Sequence, residues 1–305
     1  MSTPLRGILF KLVSVSAAAS MAACIKAASE GVPAPEAVFF RSLFALPPLL
    51  LFYAWRGELR RGFRVHSWRA HLLRGAVGVT AMGLTFTSVI LLPLPEATAI
   101  TFAAPLFTTL LAAPLLGERL RLYRLAAVLA GLVGVAIVTG PQLSLGAAGS
   151  SEHLWGVAAA LGAALFMALA QLTVRGMTKT ETSSAIVLWF TISCCGYAAL
   201  SAPLWAMPSA KEWGLLLMAG VLGGVAQAGL TEAYRSAEAS LIAPFDYASL
   251  IFAAAIGYVV FSDVPAWTTA AGSAVTVAAG IAVIRRERQL GLKRGAARPL
   301  LAPKR

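Results

Sequence analysis

Charge is scarce in this sequence: 13 Asp and Glu and 25 Lys and Arg among 305 residues leave charged side chains at only 12%. A soluble domain carries roughly a quarter of its residues charged, so a water-facing globule is excluded. Cysteine is as thin: Cys24, Cys194 and Cys195 all lie in apolar runs and two of them are adjacent, which excludes a disulfide framework. The three histidines, His66, His71 and His153, sit in or beside connecting segments without metal-ligand spacing, so neither a metal nor a cofactor is expected. Clustered acids of the kind a membrane-embedded enzyme needs are missing, as is a continuous polar stripe for a channel.

What is abundant is apolar. Hydrophobic residues make up 58% of the chain, and the mean hydropathy is +0.77. A helix needs about 20 apolar residues to cross a bilayer. Ten segments qualify, near 6–28, 35–55, 72–92, 96–116, 122–140, 154–176, 184–205, 213–234, 239–261 and 266–284. The first, with Arg6 and Lys11 near its start and Met21-Ala22-Ala23-Cys24 further along, could pass for a secretory or lipoprotein leader. It has a counterpart in the second half of the chain, so it is read as a transmembrane helix.

The net charge of +12 would suggest nucleic acid in a polar protein. Here the basic residues form short strips between apolar runs, the positive-inside pattern of a membrane protein, and no nucleic-acid partner is expected. With the N-terminus in the cytoplasm, all of the Lys and Arg except Lys26, Arg41 and Lys211 fall on that side. Both termini are therefore expected to be cytoplasmic. Trp155, Trp205, Trp213 and Trp267 all fall at the opposite ends, as an interfacial aromatic belt requires.

A shift of about 145 residues brings the two halves into weak register. Leu5-Arg6-Gly7 falls on Leu154-Trp155-Gly156, Lys26 on Arg175, Gly83-Leu84-Thr85 on Gly229-Leu230-Thr231, and Gly134-Val135-Ala136-Ile137-Val138 on Gly280-Ile281-Ala282-Val283-Ile284. After a small gap Glu96-Ala97-Thr98 falls on Glu238-Ala239-Ser240, and Gly117-Glu118 falls on Ser262-Asp263. Five helices per half is an odd number, so the second half crosses the membrane in the opposite sense. Inverted repeats place a substrate site near the midplane and permit alternating access. The expected fold is all-α and membrane-integral, with ten transmembrane helices in two inverted five-helix repeats. The first repeat spans 1–140, a connecting loop 141–153, the second repeat 154–284 and a basic tail 285–305.

The sequence resembles the drug/metabolite transporter superfamily in its EamA-type, ten-helix branch. The residues that carry this are Pro95-Glu96-Ala97-Thr98-Ala99-Ile100, Ala104-Pro105-Leu106-Phe107, Leu116-Gly117-Glu118-Arg119, Phe39-Phe40-Arg41-Ser42, Ala243-Pro244-Phe245-Asp246-Tyr247 and Phe261-Ser262-Asp263-Val264-Pro265. The branch more often has Gly-Glu where Ser262-Asp263 stands. The resemblance implies a bacterial inner-membrane permease for a small organic metabolite, the branch including carriers for amino acids, riboflavin and S-adenosylmethionine. The alternatives are a non-transporting structural or sensory membrane protein and a membrane-embedded enzyme. Proton coupling and homodimer formation stay open.

Charges within spans mark candidate sites, because a central Arg, Lys or Asp costs about 2.5–3.5 kcal/mol on insertion. Arg41 lies about 9 Å along the second helix at roughly 1.5 Å per residue; it could hold a substrate carboxylate, snorkel to the interface, or pair with Glu36 or another acid. Asp246, after Pro244, could bind a substrate amine or a coupling proton with Tyr247 beside it, or simply pair with a basic neighbour. Lys26 and its repeat mate Arg175 could contact substrate or anchor helix ends. Gln171 and Gln227 could line a cavity or bond between helices. Glu232 and Arg235, three apart on one face, read as a local pair.

Overall fold

The computed structural model describes residues 3–116, 122–144, 151–237 and 239–289, and every regular element among them is helical. In chain order these are α1 (Thr3–Ala28), α2 (Ala34–Trp55), α3 (Leu59–Gly62), α4 (Trp68–Leu91), α5 (Leu94–Thr101), α6 (Ala104–Leu116), α7 (Leu122–Ser144), α8 (Ser151–Met177), α9 (Ser183–Ala199), α10 (Ala210–Ser236), α11 (Ala239–Ile242), α12 (Ala248–Phe261) and α13 (Trp267–Gln289). Two 3-10 turns, Ala202–Leu204 and Ala243–Tyr247, join them. The Gly117-Glu118-Arg119 part of the family motif, Glu238 of the repeat, loop residues 145–150 and the tail from 290 onward lie outside the described residues.

Local chemistry sets the ends. Ser67 and Thr182 accept the Ala70 and Ala185 amides at the starts of α4 and α9, and Ser209 with Glu212 forms a reciprocal capping box on α10. Leu92, ahead of Pro93, is extended (φ −118, ψ 159) and stops α4, since the proline ring disfavours helix in the residue before it. Ser262 takes a left-handed conformation (φ 57) and stops α12.

Seven helical stretches are long and apolar enough to cross a membrane, as expected of an integral membrane protein: those beginning at Pro4, Ala34, Trp68, Leu94, Ser151, Ala210 and Ala243. The other three expected spans fall on α7, α9 and α13. Helices α7 and α13 are 23 residues each, and α13 runs on past 284 into Arg285 and Arg286. The helix expected over 184–205 ends at Ala199, because Pro203 has no amide to continue the ladder and the chain turns into a 3-10 segment instead.

Two expected spans are interrupted. The segment 96–116 divides at Phe102 and Ala103 between α5 and α6, and the segment 239–261 is divided by the Ala243–Tyr247 turn between α11 and α12. Each break adjoins an Ala-Pro pair, Ala104-Pro105 and Ala243-Pro244. Helix packing follows a paired pattern: α1 lies on α10 as α4 lies on α8, α2 on α10 as α4 on α9, and α1 on α12 as α6 on α8. Helices α7 and α13 pack on each other.

The α7–α13 contact is closed by glycine. A Cβ on Gly134 would stand 2.7 Å from the Gly272 carbonyl oxygen, and one on Gly272 would meet the Gly134 carbonyl and stand 2.6 Å from Val138 Cγ2. Thr276, buried in the same seam, donates to Gly272 O at 3.0 Å. Gly272→Leu is expected to force the helices apart at about 1–3 kcal/mol, read as a lower unfolding midpoint of the detergent-purified protein; an unchanged midpoint would show that the seam is slack.

Candidate functional site

The two helix breaks meet. Phe102, at the end of α5, has its ring centroid 5.0 Å from that of Tyr247, the last residue of the 3-10 turn. Tyr247 also reaches across to α13, where its hydroxyl lies over Gly280. Immediately before it, Asp246 Oδ1 is 2.6 Å from the Lys11 ammonium of α1. The two groups differ in setting: Lys11 is 2% exposed and the Asp246 side chain 45%. Tyr234 of α10 covers the ammonium with its ring centroid 5.5 Å away, and the Asp246 carbonyl accepts Ser249 Oγ at 2.8 Å. A half-exposed carboxylate beside a broken helix, held by one buried cation, can exchange that cation for a substrate amine or a proton. A charge inside a span needs such a compensating partner.

Polar clusters close the bundle at both ends. At the α1 C-terminus Lys26 donates to the Leu92 carbonyl at 2.5 Å and lies 3.6 Å from Asp263 Oδ2, which also accepts the Leu94 amide at 3.1 Å. Phe261 sits 5.4 Å from the same ammonium, and beside this group His153 Nε2 is 3.3 Å from Glu96 Oε1. Lys26 therefore joins α1, the α4–α5 junction and the end of α12 in one contact.

At the opposite end Glu232 of α10, 4% exposed, is approached by Arg6 at 3.7 Å, Arg56 at 3.5 Å and Arg235 at 3.7 Å. The local Glu232–Arg235 pair is thus part of a larger cluster. Arg235 forks onto both carboxylate oxygens of Glu58 at 2.8 and 2.6 Å. That bidentate hydrogen bond holds the Glu58 carboxyl below the ordinary carboxylate range. A depressed folded-state pKa means that this clamp is present at neutral pH and is lost as pH falls through the folded value.

The remaining candidates lie apart from this line. Arg41 is 3% exposed, with Nε 3.2 Å from Met21 Sδ and the guanidinium laid against Gly223 of α10. Glu36 does not neutralise it; that carboxylate accepts the Ala206 amide at 2.9 Å. Gln171 of α8 accepts Thr108 Oγ1 of α6 at 3.4 Å, and Gln227 is half-buried on α10. Trp205 and Trp213 pack into an aromatic group with Phe39, Phe40 and Phe44, while Trp155 and Trp267 stand exposed.

Lys11 and Phe102 are the functional candidates that sequence patterning passed over. Lys11 was counted with the basic strip ahead of the first span, and only its place on the buried face of α1 sets it apart. Phe102 offers no signal except that it precedes Ala104-Pro105.

Residues 5–140 match the EamA-like transporter family. The pseudopaline exporter of Pseudomonas aeruginosa is 29% identical to this chain over 92% of it and 96% of that protein. The riboflavin transporter of Vibrio cholerae is 28% identical over 90% and 91%, and the S-adenosylmethionine uptake transporter of Rickettsia felis 25% identical over 95% and 96%. A solved crystal structure superposes with a TM-score of 0.65 over 94% of this chain and 99% of that one at 19% identity, a likeness of fold.

Proposed function

We propose that this chain is an EamA-type small-metabolite permease that works by alternating access between two inverted five-helix halves, 1–140 and 154–284, with ten spans in a bacterial inner membrane and both termini cytoplasmic. The observation that carries the reading is the paired packing. Exchanging α1 with α8, α2 with α9, α4 with α10, α6 with α12 and α7 with α13 turns the α1–α10, α2–α10 and α1–α12 contacts into the α4–α8, α4–α9 and α6–α8 contacts and leaves α2–α9 and α7–α13 in place. The two broken helices exchange as well, and their breaks adjoin matching Ala-Pro pairs. Broken helices at equivalent places in inverted halves are the usual setting of a carrier's site, because an interrupted backbone is tolerated at membrane depth only within protein or beside a cavity.

In this scheme the Lys26–Asp263 contact closes one end and the Glu232 cluster the other, and the halves rock by opening them in turn. Asp246, Tyr247, Arg41, Gln171 and Gln227 line the path between, and Lys26 acts at the gate. Lys11–Asp246, a charge pair at the break, is the group through which a proton gradient would be coupled.

The test is uptake by proteoliposomes, with and without a proton gradient, against amino acids, riboflavin and S-adenosylmethionine. Saturable accumulation of one solute is expected, faster with the gradient if Asp246 exchanges a proton. Correctly inserted protein that moves none of them would favour a structural or sensory role.

A further inference from the structure

A second cation shares the setting of Arg41. Arg74, about 9 Å along α4 at roughly 1.5 Å per residue, turns inward over the Phe190 ring of α9, its guanidinium carbon 3.9 Å from the centroid. Its Nε and Nη1 are buried and make no hydrogen bond. Arg41 is equally bare: among the described residues no acid pairs with either group, and the hydrogen bond that Arg41 makes goes to a thioether sulfur. Both sit where α2, α4 and α9 meet: Arg74 Nη1 lies against Gly78, next to Val79, and Val79 packs in one apolar cluster with Met21, the residue that Arg41 touches. They enter from opposite ends of antiparallel neighbours, α2 and α4, which pack together.

A buried charge without a counter-ion is costly, and proteins keep one where a ligand completes it. Here Arg41, 3% exposed, and the half-buried Arg74 face one region bounded by Met21, Phe190 and the bare backbone at Gly223. Each guanidinium offers a planar fork matched to carboxylate or phosphate oxygens.

We propose that Arg41 and Arg74 together form an anion subsite, and that the transported solute carries a carboxylate or phosphate group that binds between them. The inference rests on the carrier reading above and narrows its substrate to an organic anion, or to a zwitterion bearing such a group.

The experiment is thermal unfolding of the purified full chain in neutral detergent, titrated with succinate, with inorganic phosphate and with neutral, near-isosteric succinamide at matched ionic strength. At least one of the two anions is expected to raise the midpoint, and succinamide to leave it unmoved. Arg41→Gln and Arg74→Gln should each need at least about tenfold more anion for the same shift, with the Lys variants intermediate because they keep charge without the fork. Without anion the Gln variants should unfold at or above the wild-type midpoint, since each removes an unpaired buried charge; a fall would indicate a structural role and overturn the proposal. So would an equal response to succinamide, no response to either anion, or an anion response that survives in the double Gln variant.

Flux measured in parallel separates the two readings. An anion response without flux upholds the subsite and counts against the carrier. Flux of a neutral or cationic solute that both Gln variants leave intact upholds the carrier and overturns the subsite.

Discussion

Asp246→Ala is expected to abolish most flux, by tenfold or more, and to destabilise the protein by about 2–3 kcal/mol. Removing one member of a buried pair costs about 3–5 kcal/mol because the other charge is left behind; the figure is reduced here because the Asp246 side chain is 45% exposed. What is left behind is the Lys11 ammonium, 2% exposed, with the Tyr234 ring centroid 5.5 Å from it. A companion variant separates stability from function. Lys11→Met combined with Asp246→Ala removes both charges, so chemical unfolding in detergent should return close to wild type while flux stays low. If the double variant transports normally, the pair is only a structural tie.

Glu232→Gln should open the other end of the bundle. The change strips the common carboxylate from three guanidiniums, of which Arg235 retains Glu58 while Arg6 and Arg56 retain no acid partner among the described residues. With the arginine side chains 30–51% exposed, solvent screens much of the loss, and about 1–2 kcal/mol of destabilisation is expected. The larger effect is on access. Ser14, 5% exposed and bonded to the Ala226 carbonyl at 2.7 Å, lies in the α1–α10 seam. In a background with Cys24, Cys194 and Cys195 replaced by Ser, a Ser14→Cys reporter should react with a water-soluble maleimide several-fold faster when Glu232 is Gln. An unchanged rate would show that Glu232 does not hold that seam.

Hydropathy alone placed most helix ends within a few residues, because the apolar length of a span and the flanking caps and prolines are local facts. It could not see the two breaks. From Leu94 to Leu116 and from Ala239 to Phe261 the mean hydropathy stays high despite Glu96 and Asp246, so each reads as one span although the backbone divides it. Site residues were legible where a charge stood deep in a span, as with Arg41 and Asp246. Lys11 and Arg74 were not, because both lie close enough to a helix end to pass as flanking cations. Which face they turn to depends on partners far along the chain, Asp246 for one and Phe190 for the other. Glu36 shows the converse: five residues before Arg41, it looked like a partner, yet its carboxylate serves the Ala206 amide.

The two closing clusters also differ in how far water reaches them. The Lys26 and Asp263 side chains are 15% and 18% exposed, whereas Arg6 in the Glu232 cluster is 51% exposed. Dissolved ions screen exposed charges beyond about 8–10 Å at physiological strength and act far less on buried ones. In the proposed alternating-access scheme a rise in electrolyte concentration is therefore expected to loosen the Glu232 end more than the Lys26 end, so that the ionic strength of the compartment that wets Arg6 tilts the resting preference of the bundle.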